Sequence, residues 1–344
     1  MIAAMMTRAR PLAGLIGLSA LLLAGAAALP AKAADPIVMK LATATLNDSQ
    51  HEWMKRFAAA VERDSQGRIK AEIYPASQLG PIPRQIEGTQ FGSIQAWIGP
   101  PEFLAGVDAR YEVLSAPGLF KDLAHANKTL EDKEFRDAFL ALGADKGLKG
   151  SSLFLSGPAV IVTRKPSPRL ADFKGQKIRV LAAPLQMEQI KRLDGTPVPM
   201  ALGNVLPALQ QGAIDGVMSS PPVVTALKFY DSAPNMTETN HAIVSVITVL
   251  SKSWFDALPA DLKPMVEKHA WQTGRDVYQW SVDFHNAQRN AWVQAGGKLI
   301  ALPPEDQAEM NKRFNGLGDE VVKGQTPEIQ KIYGILKAAA ERAK

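Results

Sequence analysis

Short β-like runs and amphipathic helical runs alternate along this chain from Ile37 onward, and that alternation restricts it to an α/β architecture with largely parallel strands. Ile37 to Ala44 reads as a strand and ends in a polar turn, Asn47-Asp48-Ser49. Ser49 with Glu52 three residues on has the form of a capping box, and Trp53, Phe57 and Val61 then recur at helical spacing to about Asp64. A second strand, Ile69 to Tyr74, stops at Pro75. Strand, helix and strand in succession make a crossover, so the two strands run parallel.

The same rhythm continues with a helix around Arg84 to Phe91 and a short strand around Ser93 to Ile98, which Pro100 and Pro101 cannot extend. Ligands of open α/β sheets sit beyond the carboxyl ends of strands, which places Trp97, Pro100 and Glu102 beside a cleft. Trp97 reads equally well as core. Phe120, past the turn at Pro117-Gly118, lines the cleft or packs the core, and core is the default for a lone phenylalanine. The texture changes at Ser151, and the almost wholly apolar Ala159 to Thr163 is expected as a central strand of a second domain.

Asp172 to Gly216 holds the densest run of signals. In KIRV, Ile178 and Val180 share one strand face and Arg179 takes the other, with Pro184 closing the extension. A helix from Leu185 to Leu193, a strand from Thr196 to Met200 and a further helix follow, the last with Asn204 as cap, Pro207 in its first turn and Gly212 at its end. Beyond Asp215-Gly216 come Val217, Met218, Ser219 and Ser220, whose serines can donate to a polar ligand or cap the next helix. Ile243 to Leu250 is a strand read as returning to the first domain. Ala260 to Ala295 is one helical pattern uninterrupted by proline after Pro264, long enough for a rod shared by two domains or for one bent helix. A strand, Lys298 to Leu302, and helices at Pro304 to Val322 and Pro327 to Ala343 complete the chain, the last a basic amphipathic surface brace.

At 344 residues, 46% hydrophobic and 21% charged, the chain has ordinary globular composition and length for two domains. Residues 1–34 read as a signal peptide: Arg8 and Arg10, an apolar run, then Ala31-Lys32-Ala33-Ala34 as a cleavage site, so the mature chain is expected to be exported and to start near Asp35. Losing that segment removes Arg8, Arg10 and Lys32 and lowers the formal net charge from +5 to +2. No basic stripe remains to engage nucleic acid. The absence of cysteine excludes disulfides and thiolate chemistry. His51, His125, His241, His269 and His285 lie far apart with no HExxH spacing, and no nucleophile elbow, Walker loop or dinucleotide fingerprint occurs. The reading is therefore a binding protein, not an enzyme, with no metal and no cofactor. Arg179 offers the parallel donors that hold a carboxylate, the competing arrangement being an ion pair with an acidic side chain across the domain junction.

QLG at 78 to 80, the EGTQFGSI segment, DFKGQKIRV, the PVPM strand and LPALQQGAIDG at 207 to 216 together resemble the periplasmic substrate-binding subunit of tripartite ATP-independent periplasmic (TRAP) transporters, the DctP-like family, over nearly the whole mature chain. The resemblance implies a type II periplasmic-binding-protein-like α/β fold, with two lobes, a ligand cleft and a long helix spanning both. The expected division is 35–157 and 245–284 in lobe 1, and 158–244 and 285–344 in lobe 2, C-terminal helices included. It also implies that Arg179 binds the carboxylate of an organic acid, and that the chain, a monomer, passes its ligand to the membrane permease subunits. Where many members carry glutamine, glutamate and asparagine after the D-G pair, this chain has Val217, Met218 and Ser219, so Ser219 stands in for the asparagine. Where sialic-acid and some dicarboxylate binders carry a second arginine, it has Gly157-Pro158-Ala159. The expected ligand site is Arg179, Ser219, Trp97, Phe120, Pro100, Glu102, Met218 and Ser220, and the ligand a monocarboxylate with an apolar or aromatic body, or a sugar acid. A ligand-binding module for a sensor, or an exported α/β hydrolase or lyase, is the alternative.

Overall fold

The computed structural model describes residues 35–344, so the signal-peptide reading of residues 1–34 lies outside the described residues. Eleven strands of this part form two mixed sheets. In chain order they are β1 (Ile37–Ala42), β2 (Ile69–Tyr74), β3 (Ala96–Gly99), β4 (Leu148–Pro158), β5 (Val160–Thr163), β6 (Lys177–Val180), β7 (Thr196–Pro199), β8 (Gly216–Ser219), β9 (Asn235–Glu238), β10 (Ile243–Ser251) and β11 (Lys298–Ala301).

The first sheet has the order β2-β1-β3-β10-β4 and the second β11-β9-β5-β8-β6-β7. Both obey one plan. In each lobe the first three strands are parallel in the order second, first, third, and the next strand is antiparallel and comes from the other lobe. The chain crosses from β4 of the first sheet into β5 of the second, and returns from β9 of the second into β10 of the first. The two crossing segments are tied to each other, Ala159 N donating to Ala242 O at 2.8 Å and Asn240 N to Ala159 O at 3.0 Å.

Each sheet is covered by helices, and the cores separate accordingly. Met39, Leu41, Trp53, Phe57, Ile98 and Val246 pack together on the first sheet, while Val160, Val162, Val217, Leu209 and Met236 pack together on the second. The helix Leu262–Gln294, 33 residues long, serves both. Its Leu262, Val266, Ala270 and Val277 enter the first core and its Trp292 the second.

Three local expectations change. The helix Ser49–Asp64 is capped by Asp48, whose Oδ1 accepts from the backbone of Gln50 and of His51 at 3.1 Å, because Asp48 and not Ser49 holds the extended backbone of a cap. Asn204 makes no side-chain cap, since the turn Leu202–Asn204 leads directly into the helix Val205–Gln210. The C-terminal helices do not stay together in the second lobe. Pro304–Phe314 buries Met310 and Phe314 there, but Pro327–Arg342 packs Ile329, Ile332, Leu336 and Ala339 with Leu130, Phe135 and Phe139 of the first lobe. Its apolar stripe needs a partner face and finds it on these residues, with Arg342 Nε donating to Asp132 Oδ2 at 2.8 Å at the rim of the contact.

Candidate functional site

Arg179 is set in place by its strand. β6 lies between β7 and β8 with Arg179 in register with Val198 and Val217, while Ile178 and Val180 point the other way into a cluster with Phe173, Met310 and Leu317. The arginine is only 2% exposed. Its Nε donates to the carbonyl of Met200 at 2.9 Å, and its Nη2 is buried with no hydrogen-bond partner. Burial, unopposed by any carboxylate, lowers its pKa to about 10, so it remains a cation at neutral pH. The guanidinium is therefore not one half of a structural ion pair.

That unsatisfied nitrogen belongs to a residue lining a cavity of about 60 Å³ between the sheets, a space small enough that an occupant touches the wall on most sides. Trp97, Pro100, Glu102, Met218 and Ser219 line it too. The topology explains the gathering: Pro100 stands directly beyond the end of β3, which carries Trp97, Arg179 lies near the end of β6 and Ser219 at the end of β8, all carboxyl ends of parallel strands. Trp97 satisfies both of its readings, packing in a core cluster while lining the cavity. Its indole Nε1 is buried without a partner. The ring lies against Gly99, where a Cβ would come within 2.4 Å of its Cζ2, so only glycine leaves room for it.

Glu102 sits in the 3-10 turn Pro101–Leu104 directly beyond β3. Its Oε1 accepts from Ser115 Oγ at 2.6 Å, while its Oε2 is buried and unpartnered. Burial, against the weaker effect of the Ser115 bond, pushes its pKa up to about 7.

Two expected residues fall outside. Phe120 packs edge-on to His125 beside a separate cavity lined by Gly118, Pro158 and His241, since the Pro117-Gly118 turn carries it away from the strand ends. Ser220 is fully buried with its hydroxyl paired to Ser156 Oγ at 2.9 Å, so it neither caps its helix by side chain nor faces the cavity. In their place stand Ser115, Gln186 and Gln189, which also line the cavity. Gln186 Nε2 donates to Ser115 Oγ at 3.3 Å and Gln189 Nε2 to Ser115 O at 2.7 Å, joining the two lobes across the site. Gln189 Oε1, which can only accept, receives a hydrogen bond from His241 Nε2–H at 3.0 Å. The available signal was the pair of glutamines three apart on one helix face, immediately after the arginine strand. Among the described residues no group of three His, Asp or Glu side chains is arranged to hold a metal.

The profile of the bacterial extracellular solute-binding protein family 7, DctP, matches residues 42–325. The chain is 30% identical over 297 residues to the 2,3-diketo-L-gulonate-binding periplasmic protein YiaO of Escherichia coli K12, covering 86% of this chain and 88% of that one. It is 30% identical over 271 residues to the C4-dicarboxylate-binding periplasmic protein DctP of Rhodobacter capsulatus, covering 77% and 78%. Among solved structures, the sugar acid binding protein DctPAm from Advenella mimigardefordensis in complex with galactonate matches with a TM-score of 0.83 at 21% identity, over 90% of this chain and 99% of that one. That likeness speaks for the fold.

Proposed function

The chain belongs to the bacterial extracellular solute-binding protein family 7, the binding subunits of TRAP transporters, and from that premise we propose that it captures a small organic acid in the periplasm through Arg179 and hands it to a membrane permease. The family is one of binding proteins and not of enzymes. The relatives named above are known by a sugar acid and by C4-dicarboxylates, and the group common to those ligands is a carboxylate. The observation that carries the proposal is a guanidinium 2% exposed, with a buried nitrogen that nothing among the described residues satisfies. A buried, unpaired cation is costly, and a ligand carboxylate supplies both the countercharge and the missing acceptor.

Binding then proceeds without covalent change. The acid enters between separated lobes and its carboxylate meets Arg179, the end of β6 holding the guanidinium ready. The lobes close, and bonds such as Gln189 to Ser115 form across the cleft while water leaves, which strengthens the charge pairing. The closed complex is the form offered to the permease.

Calorimetric titration of the chain with a panel of organic acids tests this. At least one carboxylate is expected to bind, and Arg179→Met to weaken it by about 100-fold or more, the scale expected for truncating one partner of a buried charge pair. Unchanged affinity in the variant removes Arg179 from the site. Vesicles carrying the partner permease should take up the acid only when the binding protein is added.

A further inference from the structure

We infer that Glu102 sets the substrate class: it reserves a second position in the Arg179 cavity for a hydroxyl or N–H of the ligand, so that the protein selects monocarboxylates bearing one such donor on a mainly apolar body and turns away dicarboxylates. This rests on the reading that the cavity holds a carboxylic acid at Arg179.

The carboxyl of Glu102 is 6% exposed, and Pro100 and Pro101 fix the backbone that carries it. One oxygen is committed to Ser115, and the other is buried with no donor to satisfy it, in a residue that lines the cavity. A buried acceptor left unpaired is unfavourable, so a ligand that brings a donor there gains a bond the protein cannot otherwise make. Ser115 has no proton left for the ligand, because its single hydroxyl proton goes to Glu102 and its oxygen already receives Gln186 Nε2.

The surroundings reject a second carboxylate. The charged group that bears on Glu102 is Glu112, of like sign, and no cation offsets its burial. Once Glu102 is ionised, above about pH 7, a dicarboxylate with one end on Arg179 would bring its other charge against it in a dry space, where like charges repel strongly. Polyhydroxylated acids meet a different obstacle. Ile82, Phe103, Leu202, Val223 and Ile243 form the apolar part of the wall, so any ligand hydroxyl turned toward them would be buried without a partner, whereas Thr45, Gln50 and Ser219 stand elsewhere on it. The free indole Nε1 of Trp97 adds one further donor, suited to a carboxylate or carbonyl oxygen.

Matched trios, in which only the group remote from the carboxylate changes, test the assignment: pentanoate, 5-hydroxypentanoate and glutarate; phenylacetate, 4-hydroxyphenylacetate and 4-carboxyphenylacetate; with gluconate alongside. Calorimetry with the chain at about pH 8.5, where Glu102 is ionised, is expected to show, in at least one trio, the hydroxy acid binding about tenfold or more tighter than its unsubstituted parent and about 100-fold tighter than the dicarboxylate. In Glu102→Gln, whose amide keeps the shape and can donate, the dicarboxylate should gain about tenfold or more relative to the hydroxy acid. A dicarboxylate or gluconate binding the unmodified chain best, or a selectivity ratio unmoved by Glu102→Gln, overturns the role of Glu102 and leaves Arg179 standing. Should no carboxylate bind while an uncharged sugar raises the melting temperature, the Arg179 reading falls and this one with it.

Discussion

The unpaired burial of Arg179 works against the stability of the ligand-free fold. Its guanidinium is buried with a single hydrogen bond, to Met200 O, and without a countercharge. Replacing buried ionic groups by well-packed apolar side chains of similar volume is often neutral or stabilising by about 1–4 kcal/mol, and a charge with no partner has no pairing energy to lose. Arg179→Met should therefore raise the melting temperature of the ligand-free protein by about 2 °C or more while abolishing acid binding, and scanning calorimetry reads both the gain and its independence of ligand. Glu102 has a complementary signature. Its folded pKa, about 7, is raised above the ordinary glutamate value of 4.5, so the folded state holds a proton that the unfolded chain has already lost. Stability from this group is thus fully present below about pH 4.5 and lost as pH rises through about 7. Glu102→Gln should leave urea unfolding little changed near pH 4.5 and stabilise the protein at about pH 8, by up to the order of 3 kcal/mol.

Elements deliver these residues through close backbone approaches that leave a trace in the sequence. Asp215-Gly216 stood out as a motif, and its reason lies in the second sheet. A Cβ on Gly216 would lie 2.5 Å from the carbonyl of Val162 and 2.8 Å from Ile178 Cδ1, so β5, β6 and β8 can pair only around a glycine. Gly216→Ala should cost about 1–3 kcal/mol by overpacking, measured by chemical denaturation, and should also weaken ligand binding because β8 carries Met218 and Ser219. The positions of β1, β2, β6 and β10 were legible to within a residue or two, since apolar alternation and flanking Pro or Gly mark them. Helix starts were less legible. Asp48 and Ser49 are both good caps by residue type, and only backbone conformation distinguishes them. The pattern read as one helix from Pro304 to Val322 breaks at Asn315-Gly316, where Gly316 takes a φ of +72° and starts a separate turn of the chain.

At the scale of the whole molecule, two crossing strands and one 33-residue helix let the lobes share a site while keeping separate cores. Gln189 reaches over that site from the second lobe, bonded to Ser115 O and to His241. Because it acts on closure, Gln189→Leu should lower the affinity for every acid by a similar factor, about tenfold, and leave the ranking among acids intact. Small-angle scattering of the variant with ligand should show a more open particle, and a changed ranking would instead make Gln189 a direct selector. The sequence by itself determined the alternation of elements, the sidedness of β6 and the singular placement of an arginine in an otherwise buried strand, because periodicity and residue chemistry act over a few neighbours. Only the tertiary structure decided that Phe120 and Ser220 stand aside, that Ser115 and Gln189 meet from 74 residues apart, and that the last helix returns to the first lobe. Periodicity says which side of an element is apolar, whereas the chain crossings decide what that side, and each polar group upon it, comes to face.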